Sequence, residues 1–210
     1  MKKFLMPFIL FICFVVFTVM VMFIDVQPVG PGGSNVGFAT LNSAVYSLLG
    51  ENHFCYYVTQ ALGLLAIAVA GAFAILGFIQ LIKRRSLLKV DRCIIALGIT
   101  YFVVIALYVI FENLAINYRP ILTEEGLEAS YPSTHTMLIL TIFGTARFAL
   151  PHLIKNEKKT NILGTVCVFI MIIAVVDRLL SGVHWCTDIL GSLLISEALI
   201  SCYSKAIQIK

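Results

Sequence analysis

His184 and Asp188 stand four residues apart in the stretch SGVHWCTDIL, a spacing that puts both on one face of a helix. A carboxylate bonded to one ring nitrogen fixes an imidazole's tautomer and leaves the other nitrogen free to attack an electrophile. A second histidine, His135 in YPSTHTM, can protonate a leaving oxygen as a general acid. Arg119 in NYRP and Arg178 in DRLLSG supply guanidinium forks, whose donors match phosphate oxygens. Together these are the parts of phosphoryl transfer through a histidine nucleophile. Each has an ordinary reading when taken alone: a surface His/Asp pair, a Pro-Ser-Thr helix start, an Arg-Pro loop. Their meaning depends on whether the chain brings them to one place.

The elements that would do so are apolar. Of 210 residues, 60% are hydrophobic and 12% charged, against about 25% charged in a soluble domain. A bilayer span needs roughly 20 apolar residues. Six runs qualify: 4–24, 56–82, 93–113, 133–150, 161–177 and 185–204. The pattern predicts an all-α bundle of six transmembrane helices in one domain, 1–210. The first run is longer and bulkier than the ~7–15-residue core of a secretory signal, and is read as a retained span. After the Pro/Gly cluster near residue 30, Phe38, Leu41, Val45, Leu48 and Leu49 recur at helical spacing behind Ser34-Asn35. They predict a short amphipathic helix lying on the membrane surface. The six cysteines show no paired metal spacing, and a Cys55–Cys186 disulfide is given little weight. The net charge of +4 matters through its distribution, and no nucleic-acid partner is expected.

With six spans, every lysine and arginine except Arg119 and Arg178 falls on one side, which the positive-inside rule makes the cytoplasm. Both termini lie there as well. The two exceptions share the outer face with His135, His184 and Asp188. Spans four and six begin on that face, so their amino-terminal amides point toward it. Ser133 or Thr134 can cap span four and leave other amides to a phosphate. Ser181-Gly182 supplies the turn from span five to span six. Trp185 reads as an interfacial anchor, and Glu197, deep in span six, as a partner for Arg147 or another inner-leaflet group. Glu124, Glu125 and Glu128 read as a solvated loop.

These stretches resemble the three signature motifs of the type 2 phosphatidic acid phosphatase superfamily, which includes vanadium haloperoxidases and bacterial acid phosphatases. The first, Lys, six residues, Arg-Pro, is met by Arg119-Pro120, with Glu112 in the lysine position. The second, Pro-Ser-Gly-His, is met by Pro132, Ser133 and His135, with Thr134 for glycine. The third, Ser-Arg, five residues, His, three residues, Asp, is met by Arg178, His184 and Asp188, with Asp177 for serine. The resemblance implies a phosphohistidine on His184 oriented by Asp188, and His135 as acid. It also implies Arg119 and Arg178 as phosphate clamps, and no metal or other cofactor.

Three readings stand for Glu112 and Asp177: they pair with Arg119 and Arg178, they meet a cationic or hydroxyl-rich headgroup, or activity is lost. The first is favoured, because both histidines and Asp188 are present. The expected function is hydrolysis of a lipid-linked phosphate or diphosphate at the outer leaflet of a bacterial plasma membrane. Undecaprenyl diphosphate, phosphatidate and phosphatidylglycerol phosphate are candidate substrates. Transfer to a hydroxyl acceptor and non-catalytic lipid binding are the alternatives. The oligomeric state is left open.

Overall fold

The structure, a computed structural model, describes residues 2–122 and 126–208; Glu124, Glu125 and Lys210 lie outside them. Seven α-helices are found among the described residues: α1 Leu5–Phe23, α2 Ala39–Leu49, α3 His53–Arg84, α4 Arg92–Leu114, α5 Thr134–Leu153, α6 Glu157–Leu180 and α7 Cys186–Ile207. All but α2 are long and apolar enough to cross a membrane. The apolar runs therefore mark the spans, and capping moves their ends. Asn52 accepts from the Cys55 amide and starts α3 three residues early. Asn156 caps α6 through the Lys159 amide, and α6 begins at Glu157, ahead of the run at 161.

The two helices nearest the centre are α5 and α7. Small residues let them approach. A Cβ on Gly144 of α5 would lie 2.3 Å from an Ile200 methyl of α7, close packing of the kind that drives helix association in lipid. Serines then fix the register. Ser192 Oγ donates to the carbonyls of Ser133 (2.8 Å) and Asp188 (2.9 Å), and Ser196 Oγ donates to the Met137 carbonyl. The Ser133 amide donates to the Asp188 carbonyl at 3.1 Å. The amino termini of α5 and α7 are thus stapled side by side. Tyr131, just before α5, seats its ring on Gly191 of α7 among Phe14, Phe17 and Phe111. Its hydroxyl meets Thr18 of α1.

The surface helix α2 forms, but not as the sequence pattern had it. Ser34-Asn35 does not cap it. Phe38 precedes it in the left-handed region (φ 51°). Asp25, just beyond α1, takes the first amides instead: its carbonyl accepts from Ala39 and its carboxylate from Thr40 at 2.7 Å. Leu41 and Leu48 stay exposed, as suits a helix on a bilayer surface, while polar Asn42 turns inward and is 1% exposed.

Gly37 makes that turn possible. A Cβ there would lie 1.7 Å from the Val21 carbonyl oxygen, and two backbones cannot yield as a side chain can. Gly37→Ala is expected to cost about 3 kcal/mol. Gly71→Ala, in α3 with open space around the new methyl, is expected to gain roughly 0.5–1 kcal/mol. Thermal unfolding in detergent should show the midpoint falling for the first and rising for the second.

Candidate active site

Helix α6 ends at Leu180 and Gly182 turns left-handed (φ +70°). The turn is tight: a Cβ on Gly182 would lie 2.7 Å from the Gly50 carbonyl oxygen. The chain re-enters as α7 at Cys186. Arg178 in the last turn of α6, His184 in the connection and Asp188 in the first turn of α7 therefore meet. Arg178 Nη2 lies 3.2 Å from His184 Nε2, and Nη1 donates to Thr59 Oγ1 of α3. A guanidinium has donors and no acceptor. Nε2 must accept, so the neutral ring carries its proton on Nδ1. That nitrogen faces Asp188 Oδ2 at 3.5 Å.

Asp188 is fully buried. Its Oδ2 accepts from the Trp185 amide at 2.9 Å, closing the first turn of α7 on itself. Ser130 and Asn117 side chains turn toward the same carboxylate. Burial, above all, holds the His184 pKa well below its ordinary 6.5, and the cations Arg178 and Arg119, with His135, add to this. The ring is neutral at pH 7, and the groups that act on it identify the cluster.

Arg119 reaches the cluster from the loop after α4. Tyr118 and Ala129 form an isolated bridge, the Arg119 amide donates to the Glu128 carbonyl, and Arg119 Nη2 pairs with Glu128 Oε2 at 2.9 Å. Trp185 Nε1 donates to the Tyr118 carbonyl at 2.7 Å, tying this loop to the start of α7. His135, in the first turn of α5, lies against Gly63 of α3, where a Cβ would sit 2.4 Å from Nε2. Among the described residues, His135 Nε2 and the Nε of both Arg119 and Arg178 have no hydrogen-bond partner, which leaves them available to oxyanions. Thr134 and His135 border a groove of about 140 Å³ that runs between α4 and α5, past Tyr108 and Leu138.

Several expectations need correction. Glu112 and Asp177 do not hold the arginine forks. Asp177 adjoins Arg178 in sequence, and i, i+1 side chains on a helix diverge; it lies against Cys55 of α3. Glu112 stays on the exposed side of α4, and Glu128, read as plain solvated loop, pairs with Arg119. Ser133 caps α5 through the Thr136 amide and hydroxyl. Its own amide goes to Asp188, so it holds α5 against α7 and has no free amide for phosphate. Thr134 is half-exposed at the groove.

Trp185 is 3% exposed and is no interfacial anchor. Glu197 and Arg147 make no ion pair. The Ser196–Met137 and Ile200–Gly144 contacts place Arg147 level with α7 residues beyond Ile200, so Glu197 is too near the active-site end. Cys55 and Cys186 are free thiols.

Thr59, Gly63 and Asn42 were not singled out from the sequence. The polar pair Thr59-Gln60 inside an apolar run was the one available signal. Asn42 reaches in from α2: its Oδ1 accepts from the Thr187 amide at 3.2 Å, and its Nδ2 donates to Thr187 Oγ1 at 2.9 Å. It caps the first turn of α7 from outside.

Comparison with known proteins agrees with the motif resemblance. Residues 111–209 match the PAP2 superfamily. Among solved structures, the chain has the fold of a transmembrane PAP2 type phosphatidylglycerolphosphate phosphatase from Bacillus subtilis, with a TM-score of 0.64 and 19% identity over 96% of this chain and 92% of that one. No curated protein matches the chain.

The depressed pKa sets a titration. His184 stays neutral above its folded pKa and gains a proton only as pH falls well below 6.5. Nitrogen NMR of the labelled ring should show the Nδ1–H tautomer from neutral pH down to that value. A ring half-protonated at 6.5 would contradict this geometry.

Proposed function

Taking a PAP2-type fold and its clustered histidines and arginines as the premise, we propose that this chain is a membrane phosphatase that hydrolyses a lipid phosphate through a phosphohistidine on His184. The observation that carries the reading is the Arg178–His184 contact, because it leaves the Nε2 lone pair, and not its proton, turned toward the arginines that would bind phosphate.

In the first step the phosphoryl oxygens lie on the guanidinium groups of Arg119 and Arg178, with Arg119 exchanging Glu128 for substrate. Nε2 of His184 attacks phosphorus, an N–P bond forms and the P–O bond to the lipid breaks. A protonated His135 donates its proton to the departing oxygen. Asp188 stabilises the positive charge that develops on the ring. In the second step a water molecule gives a proton to His135 and attacks phosphorus. The N–P bond breaks, and phosphate and neutral His184 are restored.

A lipid substrate is favoured by the groove at His135, which is lined mainly by α4 and α5 side chains such as Val104, Ile105 and Met137. An acyl or prenyl chain would lie there while its phosphate reached the arginines. Phosphatidylglycerol phosphate, phosphatidate and undecaprenyl diphosphate remain the candidates. The basic turn after α3 and the α5–α6 hairpin lie at the other end of the bundle, which favours a cytoplasmic face there and a site open to the outside.

Two variants test the roles. With phosphatidylglycerol phosphate, phosphatidate and undecaprenyl diphosphate in detergent and a chelator present, His184→Ala should lower phosphate release by roughly a thousandfold or more. His135→Gln should lower kcat by about 10²–10⁴. The His135 deficit should shrink on p-nitrophenyl phosphate, whose leaving group needs no proton. Full activity in His184→Ala would eliminate the mechanism, and an equal His135 deficit on both substrate types would remove the acid role.

A further inference from the structure

A larger cavity lies at the opposite end of the bundle. Between the end of α5 and the start of α6 is a groove of about 450 Å³. Arg147 and Phe148 of α5 form one wall; Asn161, Gly164, Thr165 and Val168 of α6 form the other. The α6 residues follow i, i+3, i+4, i+7 and so make one stripe, which Lys158 extends outward by a turn. Read inward from the helix start, the stripe passes from cation to amide to bare backbone to hydroxyl to isopropyl. That order matches a membrane lipid, with headgroup at the interface and chains within.

Arg147 is the anomalous residue. It is exposed, six positions before the end of an apolar helix, and makes no ion pair among the described residues. A cation at that depth is costly unless it finds an anion or reaches the interface. Gly164 gives its stem room: a Cβ there would already lie 3.5 Å from Arg147 Cγ. The surrounding hairpin carries His152, Lys155, Lys158 and Lys159 against the single acid Glu157. Among the described residues no hydrogen bond is seen for the Asn161 side-chain amide, whereas the Thr165 hydroxyl is committed to the Asn161 carbonyl.

We propose that this groove binds an anionic phospholipid of the leaflet opposite the active site. Arg147 and the Asn161 amide hold the phosphate, Lys158 stands at the rim, and an acyl chain lies along Phe148 and Val168. Basic pockets between transmembrane helices recognise anionic headgroups in this way. The inference needs only that α5 and α6 lie in a bilayer, and is independent of the chemistry at the other face.

Native mass spectrometry of the full chain in detergent tests it, with dioleoyl phosphatidylglycerol, dioleoyl phosphatidylcholine or inorganic phosphate as the probe. Saturable retention of phosphatidylglycerol over phosphatidylcholine is expected. Arg147→Gln should weaken it about fivefold. Gly164→Leu, which fills the groove and keeps every charge, should weaken it at least as much and carries the test if the arginine variant folds poorly. Both variants should retain turnover at the distant site. Equal retention of the two lipids, or unaltered binding in both variants, would overturn the proposal. So would displacement by inorganic phosphate alone, or binding lost only with Arg178→Gln, which would place the lipid in the active-site cluster.

Discussion

A guanidinium has only protons to give, and Arg178 gives one to Nε2 of His184. Most of the site follows from that bond. It assigns the tautomer, puts the ring proton on Nδ1, 3.5 Å from Asp188 Oδ2, and turns the Nε2 lone pair toward a cation. Arg178 is 3% exposed, and among the described residues no carboxylate lies within ion-pair distance of it. Burying a charge in this way costs several kcal/mol. Thr59 Oγ1 and the face of Tyr56, 5.9 Å from the guanidinium carbon, return part of that. Under the proposed function, a bound phosphate would offset the rest.

That strain is held by helix ends. α5 and α7 start on the same face, and the serine ladder from Ser192 and Ser196 to the α5 backbone keeps them in register. Their amino-terminal dipoles add positive potential where the arginines already concentrate it. Asn42 brings α2 into the frame by capping Thr187, three residues after His184 and next to Asp188. A surface helix thus sets the position of the buried His184–Asp188 pair, and Gly37 permits it by letting two backbones touch.

The spans were legible because run length is a one-dimensional property and a bilayer has one thickness. Their ends were less so, since Asn52 and Asn156 act through local capping geometry. Arg119, Arg178, His135, His184 and Asp188 were legible from residue type, spacing and the side on which topology put them. Their partners were not. The choice of Glu128 over Glu112 for Arg119 depends on a loop folding back through the Tyr118–Ala129 bridge. The choice of Thr59 over Asp177 for Arg178 depends on which way α6 faces α3. Gly63 looked like one small residue in an apolar run, and its purpose appears only when the His135 ring is seen against it.

The most direct test of this account is to trap the intermediate. The chain is mixed with a lipid phosphate labelled on phosphorus, quenched in alkali within one turnover, and assayed for label on the protein. The account predicts protein-bound label that survives base, is released by acid, maps to His184 and is absent from His184→Ala. Phosphate released with no label ever on the protein, or label that persists in His184→Ala, would contradict it.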